Sequence, residues 1–227
     1  MHHQDIREGV CLPPDTEDRK AEAAVFAFVL DQHPAHLTIP EALLGTVAED
    51  DFGATERALY LTAAMSGLRQ GELVALRWTD IDWQASRIRV RRNYTRQRFG
   101  TPKSRRSSRS VPMIGRVARE LERHFRASAF QGDEALVFPH PHTGHPLDAS
   151  KLRKRFKEAL ERAEVRPIRF HDLRHTFGTH CASAGVPLRT LQEWLGHRDY
   201  KTTLVYADYA PNPHEADLVE RAFGDRN

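Results

Sequence analysis

The stretch from Phe170 to Tyr209 is divided by two glycines into segments rich in helix-forming residues. Gly185 and Gly196 each follow such a segment, in the position where glycine commonly ends a helix. The stretch therefore predicts three short helices, over 171–184, 187–195 and 202–207. Helices so closely spaced favour a mainly helical fold for this part of the chain.

Helical patterns also precede this stretch. The spacing of apolar residues predicts helices over 40–50, 55–66, 70–77, 116–129 and 148–165. Ile81, Ile88 and Val90 alternate with polar neighbours, which predicts strands joined by a turn near 83–86. A turn over 99–102 and a returning strand over 108–113 complete the pattern. The expected fold class is mainly α, of the α+β type, with a small antiparallel β-sheet or hairpin.

The 227 residues, 40% of them hydrophobic, fit one good-sized domain with short additions at each end. We expect an extension or linker over 1–38, with a short helix over 21–31, a main domain over 39–210, and a tail over 211–227 with a short helix over 214–223. No apolar run approaches the roughly 20 residues needed to span a bilayer, and the first residues lack the apolar core of a signal peptide. We therefore expect a cytoplasmic protein without a membrane partner. Cys11 and Cys181, the two cysteines, form neither a metal-binding nor a redox spacing.

Positive charge is concentrated in two places although the net charge is only +3. Ten Lys or Arg residues and no acidic residue lie between Arg87 and Arg109, and a second cluster lies over 151–157. A solvated helix face would account for the second cluster, whereas an acidic ligand such as a nucleic-acid backbone would relieve the repulsion in the first. The expected DNA contacts are Arg89, Arg91, Arg92, Arg96, Arg98, Arg105, Arg106, Arg109, Lys151 and Lys154.

Tyr206 is a candidate nucleophile, but a free tyrosine hydroxyl has a pKa near 10 and needs help at neutral pH. Attack on a phosphodiester also builds negative charge on the non-bridging oxygens, which fixed cations can stabilise. Arg69 and Arg174 are suited to bind those oxygens.

Proton transfer and orientation need further residues. His171 is a suitable acceptor for the tyrosine proton, Lys103, at or near the predicted hairpin tip, can protonate the leaving oxygen, and His197 can hydrogen-bond a phosphate oxygen. His175 and Glu72 are expected as supporting residues, Glu72 as an orienting partner. Because arginines supply the charge, we expect neither a metal nor another cofactor.

Each assignment has a competing interpretation. A lone tyrosine is most often a packing residue, and Tyr200 and Tyr209 lie close to Tyr206 in the sequence. Three histidines that alternate in the loop over 137–147 suggest zinc, but they lack cysteine or acidic partners at ligand spacing. These are His140, His142 and His145.

Four motifs in order resemble those of the phage integrase, or tyrosine recombinase, family over about residues 40–211: SGLRQGELVALRW, TPKSRRSSRSVPM, HDLRHTFGTH and LGHRDYKTTLVYADY. The resemblance assigns the catalytic positions to Arg69, Lys103, His171, Arg174, His197 and Tyr206, and the acidic position after the first arginine to Glu72. In finer detail the chain resembles integrases of actinobacterial type.

This resemblance implies a helical catalytic domain with a small antiparallel sheet that acts on double-stranded DNA. The nucleophile would form a 3′-phosphotyrosyl link and release a 5′-hydroxyl, without metal or ATP. Four copies would act on two sites through a Holliday junction, with the tail packed against a neighbouring copy. Family members carry a separate N-terminal helical domain, so residues 1–38 are expected to be a linker or a remnant of it. A DNA-binding module without turnover and a type IB topoisomerase are the alternatives.

Overall fold

The computed structural model describes residues 39–100, 108–207 and 220. Within them the α-helices are α1 (Ile39–Gly45), α2 (Gly53–Ser66), α3 (Gln70–Val74), α4 (Gly115–Ala127), α5 (Ala149–Arg162), α6 (Asp172–Ser183), α7 (Leu188–Leu195) and α8 (Lys201–Leu204). The strands are β1 (Ile81–Asp82), β2 (Arg87–Val90), β3 (Asn93–Thr95), β4 (Arg98–Gly100) and β5 (Arg109–Pro112). The prediction of a mainly helical fold with small antiparallel sheets is confirmed.

Helix α2 lies at the centre of the core and contacts α1, α4 and α6. It is buried around most of its circumference, as a helix apolar on all sides should be. Its Tyr60 ring meets Phe156 of α5 and Phe170 edge-on, at centroid distances of 5.3 and 6.3 Å. Edge-to-face packing of this kind adds about 0.5–1.5 kcal/mol per pair beyond the burial of apolar area. The core therefore fixes α5 and the start of α6 relative to α2.

A three-stranded antiparallel sheet, in the order β1-β2-β5, packs beside these helices. Ile88 of β2 lies opposite Val111 of β5, and both side chains are fully buried. The predicted turn over 83–86 joins β1 to β2. The sheet places the first residue of β5, Arg109, opposite Val90 at the end of β2.

A separate two-stranded hairpin is formed by β3 and β4, and here the sequence prediction was partly wrong. Phe99 and Gly100, predicted as a turn, belong to β4 and pair with Tyr94 and Asn93. The turn lies instead at Arg96 and Gln97, whose φ values of 52° and 58° match the left-handed geometry that short hairpins need. Neither residue is a usual one for such a turn, which is why the sequence did not reveal it.

Five predicted helices end two to five residues earlier than expected: α1, α3, α4, α5 and α8. Helix α1 stops at Gly45, because the next residue, Thr46, turns its hydroxyl to the carbonyls of Leu43 and Ala159. Helix α3 stops at Val74, and a 3-10 turn follows over Trp78–Asp80. The helices predicted over 21–31 and 214–223 lie outside the described residues. Among the helices that the structure describes, none has both the length and the apolar character needed to cross a membrane.

Candidate active site

Arg69 lies at the turn between α2 and α3, held by Glu72. Its backbone N–H donates to Glu72 Oε2 at 2.8 Å, and its Nη1 donates to Glu72 Oε1 at 3.0 Å. This arrangement caps the N-terminus of α3, where an acidic residue is also favoured by the helix dipole. The Arg69 side chain remains 42% exposed, so a ligand can reach a guanidinium whose orientation is already fixed.

Arg174 comes from α6 and is buried, with only 3% of the residue exposed. Its Nη1 donates to the carbonyl of Gly67 and its Nη2 to the carbonyl of Leu195. Burial, together with the positive charges of Arg69 and Arg109, lowers the pKa of Arg174 to about 9. The guanidinium is still charged at neutral pH, in a place where few water molecules can screen it.

The C-terminal end of α7 brings three arginines together. The carbonyls of Trp194, Leu195 and Gly196 accept hydrogen bonds from Arg109, Arg174 and Arg69, respectively. The last carbonyls of a helix lack partners within the helix and carry the negative end of its dipole. One helix end thus collects guanidinium groups from three separate segments of the chain.

Glu72 is the carboxylate within this arginine group. It accepts from Arg69 and, on both oxygens at 2.8 Å, from Arg109. Burial alone would raise the pKa of Glu72, but the bonds and charges of Arg109 and Arg69 outweigh it and lower the pKa to about 2. Three cations around one anion leave the group net positive, which favours an anionic ligand.

Tyr206 is buried, with 1% of the residue exposed, beside α6. Its ring lies against Gly178: a Cβ at that position would be 2.5 Å from the Tyr206 Cζ atom. The hydroxyl lies 3.0 Å from Nδ1 of His175, within hydrogen-bond distance. Burial raises the pKa of Tyr206 to about 12, although the charge of Arg174 partly offsets it. Ionisation of this hydroxyl therefore requires a proton acceptor, and His175 is in position.

Two further histidines border the arginine group. The His171 ring lies 5.1 Å from the His175 ring, whereas His197 is half-buried with its Nδ1 2.9 Å from Thr203 Oγ1. Loss of hydration and the nearby positive charges lower both pKa values, that of His171 to about 4 and that of His197 to about 3. Both rings are therefore neutral at pH 7, and each then carries one N–H donor and one ring nitrogen that can accept a hydrogen bond.

The sequence profile of the phage integrase family matches residues 40–212. The chain belongs to the phage integrase family. It is 34% identical to a tyrosine recombinase XerC-like protein of Caldanaerobacter subterraneus, over 68% of this chain and 46% of that protein. It is also 34% identical to the prophage phiRv2 integrase of Mycobacterium tuberculosis, over 66% of this chain and 41% of that protein. The chain thus spans less than half the length of these relatives.

Solved structures show the same fold as this integrase-family chain. The Tn1549 transposon integrase, in complex with circular intermediate DNA, superimposes with a TM-score of 0.65 at 20% identity, over 93% of this chain and 87% of that one. The crystal structure of XerA recombinase gives 0.60 at 23% identity, over 86% and 67%. The architecture described above is therefore that of tyrosine recombinase catalytic domains.

The structure brings most of the site residues expected for this family into one place. These are Arg69, Glu72, His171, Arg174, His175, His197 and Tyr206. Lys103, Arg105, Arg106 and Tyr209 lie outside the described residues. Two roles were missed from sequence: the contact of His175 with the nucleophile candidate, and the part of Arg109 in the arginine group. The only sequence signal for His175 was its position next to Arg174.

The expected DNA contacts differ in exposure and in pairing, and some residues are both exposed and paired, such as Lys154 with Glu158 and Arg89 with Asp82. Arg96, Arg98, Lys151 and Lys154 are exposed. Arg89 pairs with Asp82, and Arg91 and Arg92 pair with Asp80, so acidic residues just before the basic stretch relieve some of its repulsion. Arg109 differs most from expectation: its side chain is 5% exposed and paired with Glu72, in the interior rather than at a surface that DNA can contact.

Two histidines of the loop considered for zinc, His140 and His142, contact Asp51 or Phe52 instead. His142 Nε2 lies 3.1 Å from Asp51 Oδ2, and the rings of His140 and His142 both meet Phe52 edge-on. No group of three His, Cys, Asp or Glu side chains in the described part of the chain is arranged to hold a metal ion.

Proposed function

We propose that this chain is the catalytic domain of a site-specific DNA recombinase, which cuts and rejoins double-stranded DNA through a 3′-phosphotyrosine intermediate. The observation that carries the proposal is the meeting of Arg69 and Arg174 on adjacent carbonyls at the end of α7, with Tyr206 beside Arg174. Two guanidiniums distant in sequence are thereby presented together, as a single phosphodiester requires.

In the proposed reaction the Tyr206 oxygen attacks the scissile phosphorus. The new bond joins phosphorus to the tyrosine oxygen, and the bond from phosphorus to the 5′ oxygen breaks. Arg69 and Arg174 bind the non-bridging oxygens, where negative charge grows in the transition state. Since the link keeps the energy of the broken bond, attack by a 5′-hydroxyl reverses the step without metal or ATP.

Two proton transfers accompany this exchange. The Tyr206 proton passes to His175, whose Nδ1 is 3.0 Å away, or to His171, whose neutral ring adjoins His175. Lys103 gives a proton to the leaving 5′ oxygen, and His197 donates a hydrogen bond to a phosphate oxygen. The roles of Lys103, His171 and His197 are supported by their places in the family motifs.

The wider setting is also part of the proposal. The domain extends over 39–210 between an extension over 1–38 and a tail over 211–227, and four copies act together on two DNA sites. A DNA partner is supported by the Tn1549 integrase, solved in complex with DNA. An integrase of actinobacterial type is supported by 34% identity to the Mycobacterium tuberculosis prophage integrase. A reaction on genomic DNA places the protein in the bacterial cytoplasm.

One observation favours a second candidate, a DNA-binding module of the same fold without turnover. Tyr206 is almost fully buried, and its pKa is raised to about 12. A nucleophile must reach its phosphorus, so Tyr206 has to leave this position before it can react. The second candidate holds if the residue stays buried when DNA binds.

Covalent trapping decides between the two. We would incubate the protein with a nicked suicide duplex in EDTA and separate the products on a denaturing gel. The expected result is a slower, protease-sensitive band that disappears in Tyr206→Phe while DNA affinity stays within about threefold, because only the nucleophilic oxygen is lost.

Tyr200→Phe is the matched control, since Tyr200 lies nearby and is 41% exposed. It should keep the covalent band. A band that survives Tyr206→Phe would identify another nucleophile. DNA binding without a band on any duplex would favour the module without turnover.

A further inference from the structure

Arg109 makes the most complete set of contacts of the three site arginines. Its Nη1 and Nη2 each donate to a Glu72 oxygen at 2.8 Å, and its Nε donates to the Trp194 carbonyl at 2.6 Å. The side chain is 5% exposed. A planar fork paired with a carboxylate on one edge and a carbonyl on the other has little freedom to move.

Arg109 also packs across the turn that precedes His197. A Cβ at Gly196 would lie 3.0 Å from Arg109 Cδ and 3.1 Å from its Cζ and Nε. Gly196 has a φ of 62°, a conformation that glycine adopts readily. Glycine at this position thus allows both the turn and the close approach of Arg109, and the arginine covers the backbone from which His197 projects.

The position of Arg109 in the sheet adds a third contact, after those with Glu72 and with the end of α7. Arg109 is the first residue of β5 and pairs across the sheet with Val90. It joins three parts of the site: the sheet, the Arg69 turn through Glu72, and the end of α7. Lys103 precedes it by six residues in the sequence.

We propose that Arg109 is a positioning residue for DNA cleavage, which holds Glu72 and the Trp194–His197 turn so that Arg69 and His197 face the same phosphate. This inference rests on the proposed function and assigns Arg109 a role other than DNA contact. The buried fork acts through its two neighbours and does not touch the substrate.

The charges of the site support this role. Glu72 shares its two oxygens between Arg69 and Arg109. Without Arg109, the Glu72 carboxylate would pair with Arg69 alone. It would then neutralise the charge of the Arg69 guanidinium and turn that group away from the phosphate. The pKa of Glu72 would rise from about 2, because burial already opposes its ionisation.

Single-turnover cleavage of the suicide duplex tests the proposal. Arg109→Gln should slow cleavage by about 100-fold, a typical loss for a misplaced or missing stabilising group, with DNA affinity within about threefold of wild type. Arg109→Lys keeps the charge without the fork and should slow cleavage about 10-fold. The acid limb of the rate profile should move to higher pH in Arg109→Gln, which a general loss of stability would not produce.

Two controls separate positioning from folding. Arg123→Gln removes another arginine paired with a glutamate, on the outer face of α4, and should cleave at the wild-type rate. The double variant Glu72→Gln, Arg109→Gln should be no slower than Arg109→Gln alone, because the two residues act as one unit. If Arg109→Gln fails to fold, the Lys variant supplies the comparison.

The proposal is overturned if Arg109→Gln cleaves within threefold of wild type, or if cleavage and DNA affinity fall together as for a direct DNA contact. A second readout needs no cleavage: carboxyl ¹³C NMR of Glu72 in Arg109→Lys should show its pKa moved upward, and an unchanged value would count against the inference. Absence of a wild-type adduct would instead defeat the proposed function, leaving Arg109 to be judged by this titration.

Discussion

His197 shows how one residue of the site can affect the stability of the whole domain. Its ring is half-buried beside Thr203 and close to the positive charges of Arg174 and Arg69. Those surroundings favour the neutral ring over the charged one. The same burial and positive charge also suit a hydrogen bond from His197 to a phosphate. The proposed role of His197 and its effect on the pH dependence of folding therefore come from the same surroundings.

The pKa of His197 predicts a loss of stability in mild acid. Its folded value of about 3 lies below the unfolded value near 6.5, so its contribution is complete above pH 6.5 and is lost as the pH falls towards 3. From pH 7 to pH 5 the free energy of unfolding should fall by about 1 kcal/mol on this account, given at most ~1.4 kcal/mol per pH unit and a ring only partly buried. Urea unfolding at several pH values measures it.

Glu72 does not contribute to the change in stability between pH 7 and 5, because its pKa is lowered from 4.5 to about 2. His197→Gln should show a shallower dependence between pH 7 and 5, and His145→Gln, in an exposed loop, should behave as wild type. Equal slopes for wild type and His197→Gln would contradict the assignment.

At the scale of elements, α6 supplies one face of the site with an uninterrupted helical spacing. His171 immediately precedes the helix, Arg174 and His175 lie in its first turns, and Gly178 follows one turn after Arg174. The Tyr206 ring packs against the backbone of α6 at Gly178, which has no side chain to block it. The glycine thus makes room for an aromatic ring at a place where most helices would carry a side chain.

Gly178→Ala should reverse the usual effect of this substitution. In an open helix alanine is about 1 kcal/mol more favourable than glycine. Here the new Cβ would lie 2.5 Å from Tyr206 Cζ, so we expect a loss of about 1–3 kcal/mol, as for other overpacked sites. Urea unfolding gives the difference.

Gly45→Ala is the matched control, since a Cβ there meets no atom within 4 Å. It should leave the stability equal to or above that of wild type. On a Tyr206→Ala background the cost of Gly178→Ala should largely disappear. A Gly178→Ala variant as stable as wild type would mean that the ring does not occupy this position.

The sequence motifs indicate the residues of the candidate site, but not the contacts between those residues. Arg69, Arg174 and Tyr206 lie in local motifs whose order along the chain indicates the family. The pairing of Arg109 with Glu72 joins residues 37 positions apart, and no local pattern records such a contact. For the same reason Arg109 was predicted as a DNA contact. A run of basic residues shows where positive charge is concentrated, but it does not show which of the guanidinium groups the fold buries.

At the scale of the whole molecule, basic residues lie at the surface on α5 as well as on the hairpin of β3 and β4. Lys151 is exposed near the start of α5, and that start is tied to the Arg69 turn because Gln70 donates to the Ala149 carbonyl at 3.2 Å. Lys157 lies further along α5 and is 70% exposed. The two lysines therefore differ in their distance along the helix from the site.

We predict that Lys151→Gln weakens DNA binding to all duplexes alike and lowers the slope of log affinity against log salt by about 1, as expected for one lost phosphate contact. Lys157→Gln should leave that slope unchanged, because Lys157 lies away from the site and pairs with Glu161. Fluorescence anisotropy over a salt series measures both. Equal slopes for wild type and Lys151→Gln would remove this residue from the DNA interface.

The convergence of three arginines on the end of α7 has a consequence during protein synthesis. The carbonyl that accepts from Arg69, that of Gly196, lies 127 residues later in the chain. The carbonyl that accepts from Arg109, that of Trp194, lies 85 residues later. At about 5–20 residues per second, the ribosome needs roughly 6–25 seconds to make the stretch between Arg69 and Gly196. A nascent chain that has not reached Gly196 therefore has its first arginine but no assembled site.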